Sequence, residues 1–308
     1  MNFFDAESTR NALPFELLIP ALRTMFAAGC SVPPRHLHEV GPANASVISL
    51  IMPAWVDRYY GVKIVNIAPG NAARGLPGLH ASYLLHDAAT GVPLALIDGD
   101  ELTARRTAAA SALAASWLAR PDAAHLVIVG AGRVASLIAN AMRSVRTIRR
   151  VTVWARNGAR AQALAASLRR QDFDAAASDD LEHAVRCADI VSCATHAAEP
   201  LLRGQWLGVG SHLDLIGSFK PTMREADDAC FAGAAIYIDT EEALAKSGDL
   251  LGPMSRGIFT KAEVRGTLAM LARGQAEGRT DADARTVFKG VGSALEDLAA
   301  AMLVATAD

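Results

Sequence analysis

The strongest constraint on the fold is a strand, a glycine turn and a helix in the middle of the chain. Residues 125–130 read HLVIVG, an uninterrupted apolar run typical of a strand buried on both faces, and a helical pattern, RVASLIANAMRSV, follows. Gly130, Gly132 and Ala135 form a G-x-G-x-x-A motif at the junction. The motif alone is a weak signal, but after a buried strand and at the start of a helix it predicts a dinucleotide site.

Each small residue of this motif has a separate expected role. Gly130 permits the tight turn, Gly132 lets the backbone approach a pyrophosphate, and Ala135 allows the helix to pack closely on the strand. The helix start supplies N–H donors and positive potential, so Arg133 and Val134 are expected beside the cofactor too. The alternative is an ordinary strand-to-helix turn built from small residues.

Strand and helix patterns alternate beyond this motif. RRVTVWARN is typical of a strand, GARAQALAASLRRQ of a helix, and DDLEHAVRCADIVSCAT of a helix start followed by a buried strand. GSHLDLIGSF and AAIYIDT add two more strand patterns, and TVFKGVGSALEDLAAAMLVAT near the C-terminus predicts one long helix with a glycine-containing start. Such alternation predicts an α/β fold with a doubly wound parallel sheet of Rossmann type.

The first third of the chain has a different pattern. A helix is predicted from Leu13 to Gly29, with Leu17, Leu18, Ala21, Leu22 and Met25 on its apolar face. The segments ASVISLIMPAW and YYGVKIVNIAPGN predict strands, and residues 79–99 predict a hairpin around the turn residues Asp87 to Gly91. This part of the chain is therefore expected to form a separate α+β unit.

Composition excludes several classes of partner. A chain of 308 residues with 51% hydrophobic residues has enough apolar surface for a large core, and its formal net charge of −2 gives no reason to expect nucleic acid or an acidic membrane surface. No apolar run has membrane-spanning length, and MNFFDAESTR does not resemble a signal peptide. No cluster has metal-ligand spacing, so no metal is expected. Reduced core thiols, and hence a cytoplasmic location, are predicted from Cys30, Cys187, Cys193 and Cys230.

The end of the second Rossmann strand predicts the nucleotide. A carboxylate there favours NAD by binding the ribose 2′-hydroxyl, whereas an arginine accommodates a 2′-phosphate. This chain has Arg156 and Asn157 at that point and no carboxylate. NADP(H) is therefore favoured, with NAD(H) as the alternative if Arg156 is only a solvated residue at a helix start.

Two adjacent arginines near the start of the helical segment 100–119, DELTARRTAAASALAASWLA, form a second candidate site. The helix dipole disfavours cations there, and helical phase separates the two side chains by about 100°. Arg106 falls on an apolar stripe and needs an anionic partner, which predicts a receptor for a small carboxylate. Arg105 is expected to face solvent or to be structural. The alternative partners of Arg106 are Asp98, Asp100 and Glu101.

Several motifs in order resemble the ornithine cyclodeaminase/mu-crystallin family. They are MPAW, VKIV, DGDELTARRTAAASALAA, VGAG, EP, GSHLDLIGSFKPTMREADDA, SGDLL and VFKGVGSALED, spread from about Pro33 to the C-terminal helix. The resemblance implies a homodimer in which the Rossmann domain, residues 120–287, is inserted into a substrate-binding and dimerisation domain of residues 1–119 plus 288–308.

The resemblance also implies a substrate site. Members hold the substrate carboxylate with an arginine, a lysine and the arginine of a T-x-x-R-T motif, which match Arg35, Lys63 and Arg106 here. Lys63 and Arg106 are therefore the expected catalytic residues, and Lys63 is also a candidate proton donor. Ser82 matches a position at which members often have a substrate-contacting threonine.

One departure from the family pattern concerns the reaction. Cyclodeaminases have an aspartate that serves as general base and then a lysine in the loop after HLDLIG, where this chain has Phe219 and Met223. A phenyl ring cannot accept a proton, so the resemblance favours reduction of an imine that is already formed. Phe219 is then expected to contact the substrate.

The expected activity is the NAD(P)H-dependent reduction of a small cyclic imino acid, Δ1-pyrroline-2-carboxylate or Δ1-piperideine-2-carboxylate. The further cofactor contacts expected at strand ends are Ala194, Thr195 and Gly217. A cyclodeaminase or amino-acid dehydrogenase stays open, as do an imine-forming synthase and an NADPH-dependent binding protein of mu-crystallin type. The alternative bases are Asp214, Glu225 and Asp227, and the candidate proton donors are His80, His86 and His196.

Overall fold

The computed structural model describes residues 1–42 and 46–307, which divide into two compact units. The first contains residues 1–106 and the C-terminal segment from Ser293, and the second is Thr107–Gly292. The first boundary falls inside the helix Gly99–Leu118, whereas the family resemblance implied a boundary after residue 119. The assignment of functions to the two domains stays a prediction.

The first unit is built on a six-stranded sheet. The strands, numbered in chain order, are β1 (Asn2–Phe4), β2 (His36–Val40), β3 (Val47–Val56), β4 (Tyr59–Ile67), β5 (Leu79–Asp87) and β6 (Pro93–Asp98). The helices are α1 (Ala6–Ala12), α2 (Phe15–Ala28), the start of α3 (Gly99–Leu118) and the C-terminal helix α10 (Ala294–Ala305), with a 3-10 helix at Pro69–Arg74. The sheet order is β1-β6-β5-β4-β3-β2, antiparallel except for the parallel pair of β1 and β6.

Alternation along the strands gives this sheet a buried and a more open face. Met52, Lys63 and Tyr83 lie in one row across β3, β4 and β5, and each is at most 5% exposed. Their chain neighbours Ile64 and Ser82 also pair with each other, so they point to the opposite face and are exposed. Helix α10 packs against α2, β3 and β4 in this unit.

The predicted N-terminal helix is correct in its extent but not in every face residue. Leu18, Leu22 and Met25 of α2 are buried as expected. Leu17 is 55% exposed, because it lies about 100° around the helix from Leu18 and outside the packed stripe.

The second unit confirms the predicted parallel Rossmann sheet. Its strands are β7 (His125–Val129), β8 (Arg150–Trp154), β9 (Asp174–Ala177), β10 (Ile190–Cys193), β11 (His212–Leu215), β12 (Ala235–Ile238), β13 (Val264–Thr267) and β14 (Thr286–Lys289). The helices are α4 (Ala135–Arg143), α5 (Gly158–Arg169), α6 (Leu181–Arg186), α7 (Ala243–Lys246), α8 (Gly248–Ser255) and α9 (Leu268–Ala272), with 3-10 turns at Gly204–Trp206, Asp228–Cys230 and Lys261–Glu263. All pairs in the order β13-β12-β14-β11-β10-β7-β8-β9 are parallel.

One predicted element is wrong. The segment TVFKGVGSALEDLAAAMLVAT is not a single helix, because Thr286–Lys289 forms strand β14 between β11 and β12 and only Ala294–Ala305 is helical. All four strand residues are buried, as a central parallel strand requires. Gly292 follows with φ +77°, a left-handed conformation that separates the strand from the helix.

Helix α3 is buried around most of its circumference. It begins at Gly99, where an added Cβ would lie 2.6 Å from the Ser82 backbone nitrogen, so a glycine is required for this close approach to β5. The alanines of its middle turns are almost completely buried on every side. The small side chains therefore serve close packing rather than a single amphipathic stripe.

Candidate active site

The glycine turn after β7 has the geometry of a dinucleotide cradle. Gly130 has φ +122°, and an added Cβ would lie 2.5 Å from the Ala194 carbonyl oxygen, so only glycine fits there. An added Cβ at Gly132 meets no heavy atom within 4 Å, which leaves open space directly before helix α4. That space, together with the N–H donors of the first helical turn, fits a pyrophosphate.

The rest of the motif agrees with this cradle. Ala135 is 0% exposed and lets α4 lie close to the sheet, while Arg133 is exposed and Val134 is half-buried at the helix start. Contacts of these residues with a cofactor stay predictions.

The end of β8 carries the residues expected to choose the nucleotide. Arg156 is exposed two residues beyond the strand. Asn157 is the N-cap of α5, since its side-chain oxygen accepts a hydrogen bond from the Arg160 backbone nitrogen at 3.2 Å. The Asn157 side chain is thus already used locally, and Arg156 is the better placed of the two for a phosphate.

The loops after β10 and β11 are tied together by a buried carboxylate. Glu225, 0% exposed, accepts hydrogen bonds from the Thr195 backbone nitrogen (2.7 Å), the Thr195 hydroxyl (2.8 Å) and the Gly217 backbone nitrogen (2.6 Å). An added Cβ at Gly217 would lie 1.9 Å from the Thr195 carbonyl oxygen, so the two loops touch backbone to backbone. We call Glu225, Thr195 and Gly217 the loop clasp. Ala194 joins it to the strand end through a hydrogen bond from its nitrogen to the Val129 oxygen.

Phe219 stands outside the core of this unit. It is 37% exposed in the loop after β11, and its ring lies edge-on to His196, with 6.4 Å between the ring centroids. An aromatic and an imidazole side chain therefore meet at the carboxyl ends of two adjacent strands. Contact of Phe219 with substrate stays a prediction.

The two predicted catalytic residues come together in the first unit. Lys63 on β4 and Arg106 on α3 are 1% and 6% exposed, and both pair with Asp297 on α10. The Lys63 Nζ lies 2.8 Å from Asp297 Oδ1 and 2.7 Å from Oδ2, and Arg106 Nε donates to Oδ1 at 2.8 Å. Arg106 Nη1 donates to Glu296 Oε2 at 2.8 Å. We call Lys63, Arg106, Glu296 and Asp297 the ion-pair cluster.

The cluster corrects the alternative partners suggested for Arg106. Glu101 pairs with Arg10 and Arg105 rather than with Arg106. Arg105 is 9% exposed, donates from Nε to the Leu13 carbonyl oxygen at 2.7 Å, and stacks on the Phe15 ring. Of the two roles expected for Arg105, the structural one is therefore correct.

Electrostatics in the ion-pair cluster favour a titratable lysine. Burial lowers the pKa of Lys63 to about 8, although Asp297 opposes that shift. Two adjacent cations hold the pKa of Asp297 below its usual value despite complete burial. Lys63 can thus exchange a proton near neutral pH while Asp297 stays charged.

Arg35 and Ser82 differ in their relation to Lys63. Arg35 is half-buried and directly precedes β2, outside the paired register, which begins with His36 opposite Ile51. Ser82 lies on the opposite face of the sheet from Lys63. The structure therefore does not bring Ser82 to the ion-pair cluster, because adjacent strand positions alternate.

Sequence reasoning missed the acidic half of this cluster. Glu296 and Asp297 lie in the first turn of the otherwise apolar helix α10, at 1% and 0% exposure, and two adjacent acidic residues in an apolar segment are a usable signal. The Tyr83 hydroxyl was missed as well. It is buried without a hydrogen-bond partner among the described residues, and Tyr83 is paired in register with Lys63.

The alternative bases have structural partners. Asp214 is buried and accepts hydrogen bonds from Ser111 (2.9 Å) and Ser192 (2.5 Å), and burial raises its pKa to about 6. Glu225 belongs to the loop clasp. Asp227 accepts a hydrogen bond from the Gly204 nitrogen at 2.9 Å.

The remaining candidate groups fall at scattered places. His80 and His196 are exposed, and His86 is half-buried and stacks on Tyr60.

Among the residues described, no group of histidine, cysteine or acidic side chains is arranged to hold a metal ion, and no helix is long and apolar enough to cross a bilayer. The four cysteines are free, but the expectation that all are core residues is wrong, since Cys187 is exposed.

Comparisons with known proteins agree on one family. A profile of the ornithine cyclodeaminase/mu-crystallin family matches residues 16–307. Δ1-pyrroline-2-carboxylate reductase from Paracoccus denitrificans is 43% identical over 282 residues, which cover 90% of this chain and 89% of that protein.

Two solved structures superpose over nearly the whole chain. The Δ1-pyrroline-2-carboxylate reductase of Thermococcus litoralis, in complex with NADH and L-proline, has a TM-score of 0.93 and 31% identity, covering 99% of this chain and 96% of its own. An archaeal alanine dehydrogenase dimer with bound NAD has a TM-score of 0.91 and 26% identity, covering 99% and 95%. The chain belongs to the ornithine cyclodeaminase/mu-crystallin family.

Proposed function

We propose that this chain is an NAD(P)H-dependent reductase that converts a small cyclic imino acid, Δ1-pyrroline-2-carboxylate or Δ1-piperideine-2-carboxylate, into the cyclic amino acid. The observation that carries the proposal is Phe219, an exposed phenyl ring in the loop where the cyclodeaminases of this family have their general base. Reduction of a preformed imine needs no base at that point, whereas amine activation does. The Paracoccus and Thermococcus reductases support the same reaction class.

The first unit supplies the proposed carboxylate anchor. Lys63, Arg106, Glu296 and Asp297 carry compensating formal charges, and Arg35 is the third cation proposed to bind the substrate carboxylate. Within the described part of the chain, the hydrogen bonds of Arg106 to acidic side chains use Nε and Nη1, which leaves Nη2 for a carboxylate oxygen.

These residues orient the substrate and supply one proton. Fixing the carboxylate fixes the plane of the ring and hence the face of the C=N carbon that receives hydride. Bound reduced nicotinamide supplies the hydride. Lys63, with its pKa lowered to about 8 by burial, can donate a proton toward the imine nitrogen directly or through water.

Replacing Arg106 tests the anchor. Arg106→Met is expected to abolish turnover, measured as NADPH oxidation by absorbance with either imino acid, and to leave NADPH affinity nearly intact. Arg105→Met is the matched control, because it removes an adjacent buried arginine that bonds Leu13 and should cost stability but not turnover per folded molecule. Equal loss of turnover and cofactor affinity in Arg106→Met contradicts the assignment. Ammonia release from ornithine with proline formation by the unaltered protein contradicts the reductase.

Two glycines test the cofactor cradle. Gly132→Ala leaves the fold intact because its Cβ meets open space, but that methyl group occupies the room proposed for the pyrophosphate and should weaken NADPH binding. Gly130→Ala instead strains a residue at φ +122° and lowers the melting temperature. Thermal unfolding and NADPH titration separate the two effects. Unchanged NADPH affinity in Gly132→Ala would place the pyrophosphate elsewhere.

We propose NADPH rather than NADH as the preferred cofactor, on the exposed Arg156 after β8 and the lack of a carboxylate there. A charge-assisted hydrogen bond to a phosphate contributes about 1.5–3 kcal/mol, so Arg156→Ala should lower kcat/KM for NADPH by about 10- to 100-fold. The value for NADH should stay nearly constant. An equal decrease with both cofactors rejects the preference.

We also propose a homodimer, as the related archaeal alanine dehydrogenase is described as a dimer. The sheet face opposite Lys63 exposes Trp55 and Ile64, at 43% and 38%, and apolar residues on an open sheet face favour association. Ile64→Asp should shift the mass measured by sedimentation to that of a monomer. Val209→Asp, at an exposed apolar residue of the other unit, is the control expected to leave the mass unchanged.

A further inference from the structure

Glu225 is a buried acidic residue that the proposed reaction does not use. Its two carboxylate oxygens accept hydrogen bonds from different loops, Oε1 from the nitrogen and hydroxyl of Thr195 and Oε2 from the nitrogen of Gly217. These loops follow β10 and β11, two neighbouring parallel strands, at the edge of a doubly wound sheet where ligands bind. One side chain therefore sets the spacing of both loops.

A second layer holds Glu225 itself. Asp249 at the start of α8 accepts hydrogen bonds from the backbone nitrogens of Glu225 (2.8 Å) and Ala226 (3.1 Å). The Lys289 Nζ on β14 lies 3.6 Å from Asp249 Oδ2, and both residues are 0% exposed. Backbone and side chain of Glu225 are thus both restrained within the second unit.

The loop between Gly217 and Glu225 is closed from the other side as well. The Ser218 hydroxyl bonds the Met223 carbonyl oxygen at 2.5 Å and lies 3.1 Å from the Ser247 hydroxyl. An added Cβ at Gly248 would lie 2.3 Å from the Met223 carbonyl oxygen. Phe219 is consequently carried on a short loop with both ends fixed.

We propose that Glu225 is a positioning residue that holds the loops of Thr195 and Gly217 in the geometry needed to seat the nicotinamide end of the cofactor. This inference rests on the proposed cofactor site. It assigns Glu225 no contact with substrate, and it replaces the role of alternative base with one that acts through Thr195 and Gly217.

The ionisation state of Glu225 gives the proposal a distinctive readout. A carboxylate accepts these hydrogen bonds at full strength with both oxygens, whereas a protonated carboxyl group carries its proton on one oxygen, which is then a weaker acceptor. Burial raises the pKa of Glu225 to about 7, with Asp249 raising it further and Lys289 lowering it. The Cys193 thiol on β10 also faces Glu225, and burial raises the pKa of this thiol well above its usual value. The clasp should therefore loosen as pH falls through about 7.

The first test compares Glu225→Gln with the unaltered protein. Glutamine has nearly the same shape but only one acceptor oxygen, so backbone amides of Thr195 and Gly217 should exchange with deuterium faster, and their protection should no longer depend on pH near 7. Because misplacement by about 1 Å costs about 100-fold in rate, kcat should fall by that order, more than the affinity for NADPH falls. Glu182→Gln, an exposed residue on α6, is the control with unchanged exchange and activity.

Two further variants keep the proposal falsifiable if Glu225→Gln folds poorly. Thr195→Val removes one of the three bonds and should lower kcat by about 3- to 10-fold while the pH dependence stays. Glu225→Asp keeps the charge but is too short to reach both loops, and it should restore the pH dependence without restoring full kcat.

Specific outcomes overturn the inference. If amide exchange at Thr195 and Gly217 is unchanged in Glu225→Gln, Glu225 does not hold the two loops. If the loss of activity equals the loss of folded protein, Glu225 has only a structural role. Failure of the proposed function has a different signature, namely no imine reduction by the unaltered protein. In that case exchange and NADPH titration still decide the role of Glu225, since neither needs turnover.

Discussion

The ion-pair cluster of the first unit and the loop clasp of the second bury carboxylates equally well, yet their acidities shift in opposite directions. Asp297 and Glu225 are both 0% exposed. The pKa of Asp297 is lowered, whereas that of Glu225 is raised to about 7. Burial alone therefore does not set the charge of an acidic side chain in this protein.

The difference lies in the number and distance of the cations. Asp297 has Lys63 and Arg106 at 2.7 to 2.8 Å, so attraction exceeds desolvation. Glu225 is held by N–H and hydroxyl donors, and Lys289, which lowers its pKa, lies 3.6 Å from Asp249 Oδ2. The two adjacent cations keep Asp297 charged, whereas Glu225, with fewer cations close to it, changes its charge within the physiological pH range.

The largest expected effect on stability comes from replacing Asp297 in the ion-pair cluster. Asp297→Asn leaves Lys63 and Arg106 buried without their shared partner, which should lower the free energy of unfolding by about 3–5 kcal/mol in urea titrations. Affinity for NADPH per folded molecule should be unchanged. A stability equal to that of the unaltered protein would show that the lysine and arginine are solvated despite their burial.

Removing the shared lysine should have a smaller effect that depends on pH. Lys289→Met removes the cation next to Asp249 and Glu225 and should lower the free energy of unfolding by about 1–3 kcal/mol at pH 8. The cost should shrink at pH 6, where Glu225 binds a proton more readily, and the pH midpoint of amide protection at Gly217 should move upward. A loss of stability that does not depend on pH would contradict the electrostatic coupling between Lys289 and Glu225.

Neutralising Glu225 should change stability little while it changes activity strongly. A folded pKa raised from 4.5 to about 7 means that Glu225 stabilises the fold fully below pH 4.5 and loses that contribution as pH rises through 7. The free energy of unfolding of Glu225→Gln at pH 8, measured by thermal unfolding, should therefore stay within about 1 kcal/mol of that of the unaltered protein. The stability difference between the two should vary between pH 4.5 and 7 and level off above. A large loss at pH 8 would mean that the clasp hydrogen bonds outweigh the burial of charge.

The smallest effect is expected where neither burial nor pairing is strong. Glu182 pairs with Arg186 on the surface of α6, with both side chains about half exposed. Glu182→Gln should cost about 0.3–0.5 kcal/mol and less in high salt. A cost as large as that of Asp297→Asn would remove the distinction between buried and exposed pairs.

Local patterns predicted the parallel sheet, the glycine turn and the helix of the two arginines. Each depends on neighbours within a few residues, as the buried run HLVIVG before Gly130 illustrates. The error at Thr286–Lys289 has the same origin, because a four-residue segment with two apolar residues, Val287 and Phe288, is too short to show a periodicity of its own. Only the hydrogen bonds of β11 and β12 make them a strand.

The candidate site was predictable in its cations but not in its anions. Helical phase put Arg106 on a buried stripe and predicted an anionic partner, a small substrate carboxylate or, as the alternative, one of the nearby acidic residues. The partners are Glu296 and Asp297, about 190 positions later. Likewise Ser82 matched a family position by sequence, and its strand register puts it on the other face from Lys63.

The sequence by itself determined the fold class, the cradle glycines and the membership of the family, since these are carried by short motifs and their order along the chain. Only the tertiary structure decided that Asp297 joins Lys63 to Arg106 and that Glu225 joins Thr195 to Gly217. The physical reason is that a buried charge is stabilised by whichever partner the packed elements bring within about 3 Å, and that proximity arises from helix packing and strand register rather than from neighbours in the chain.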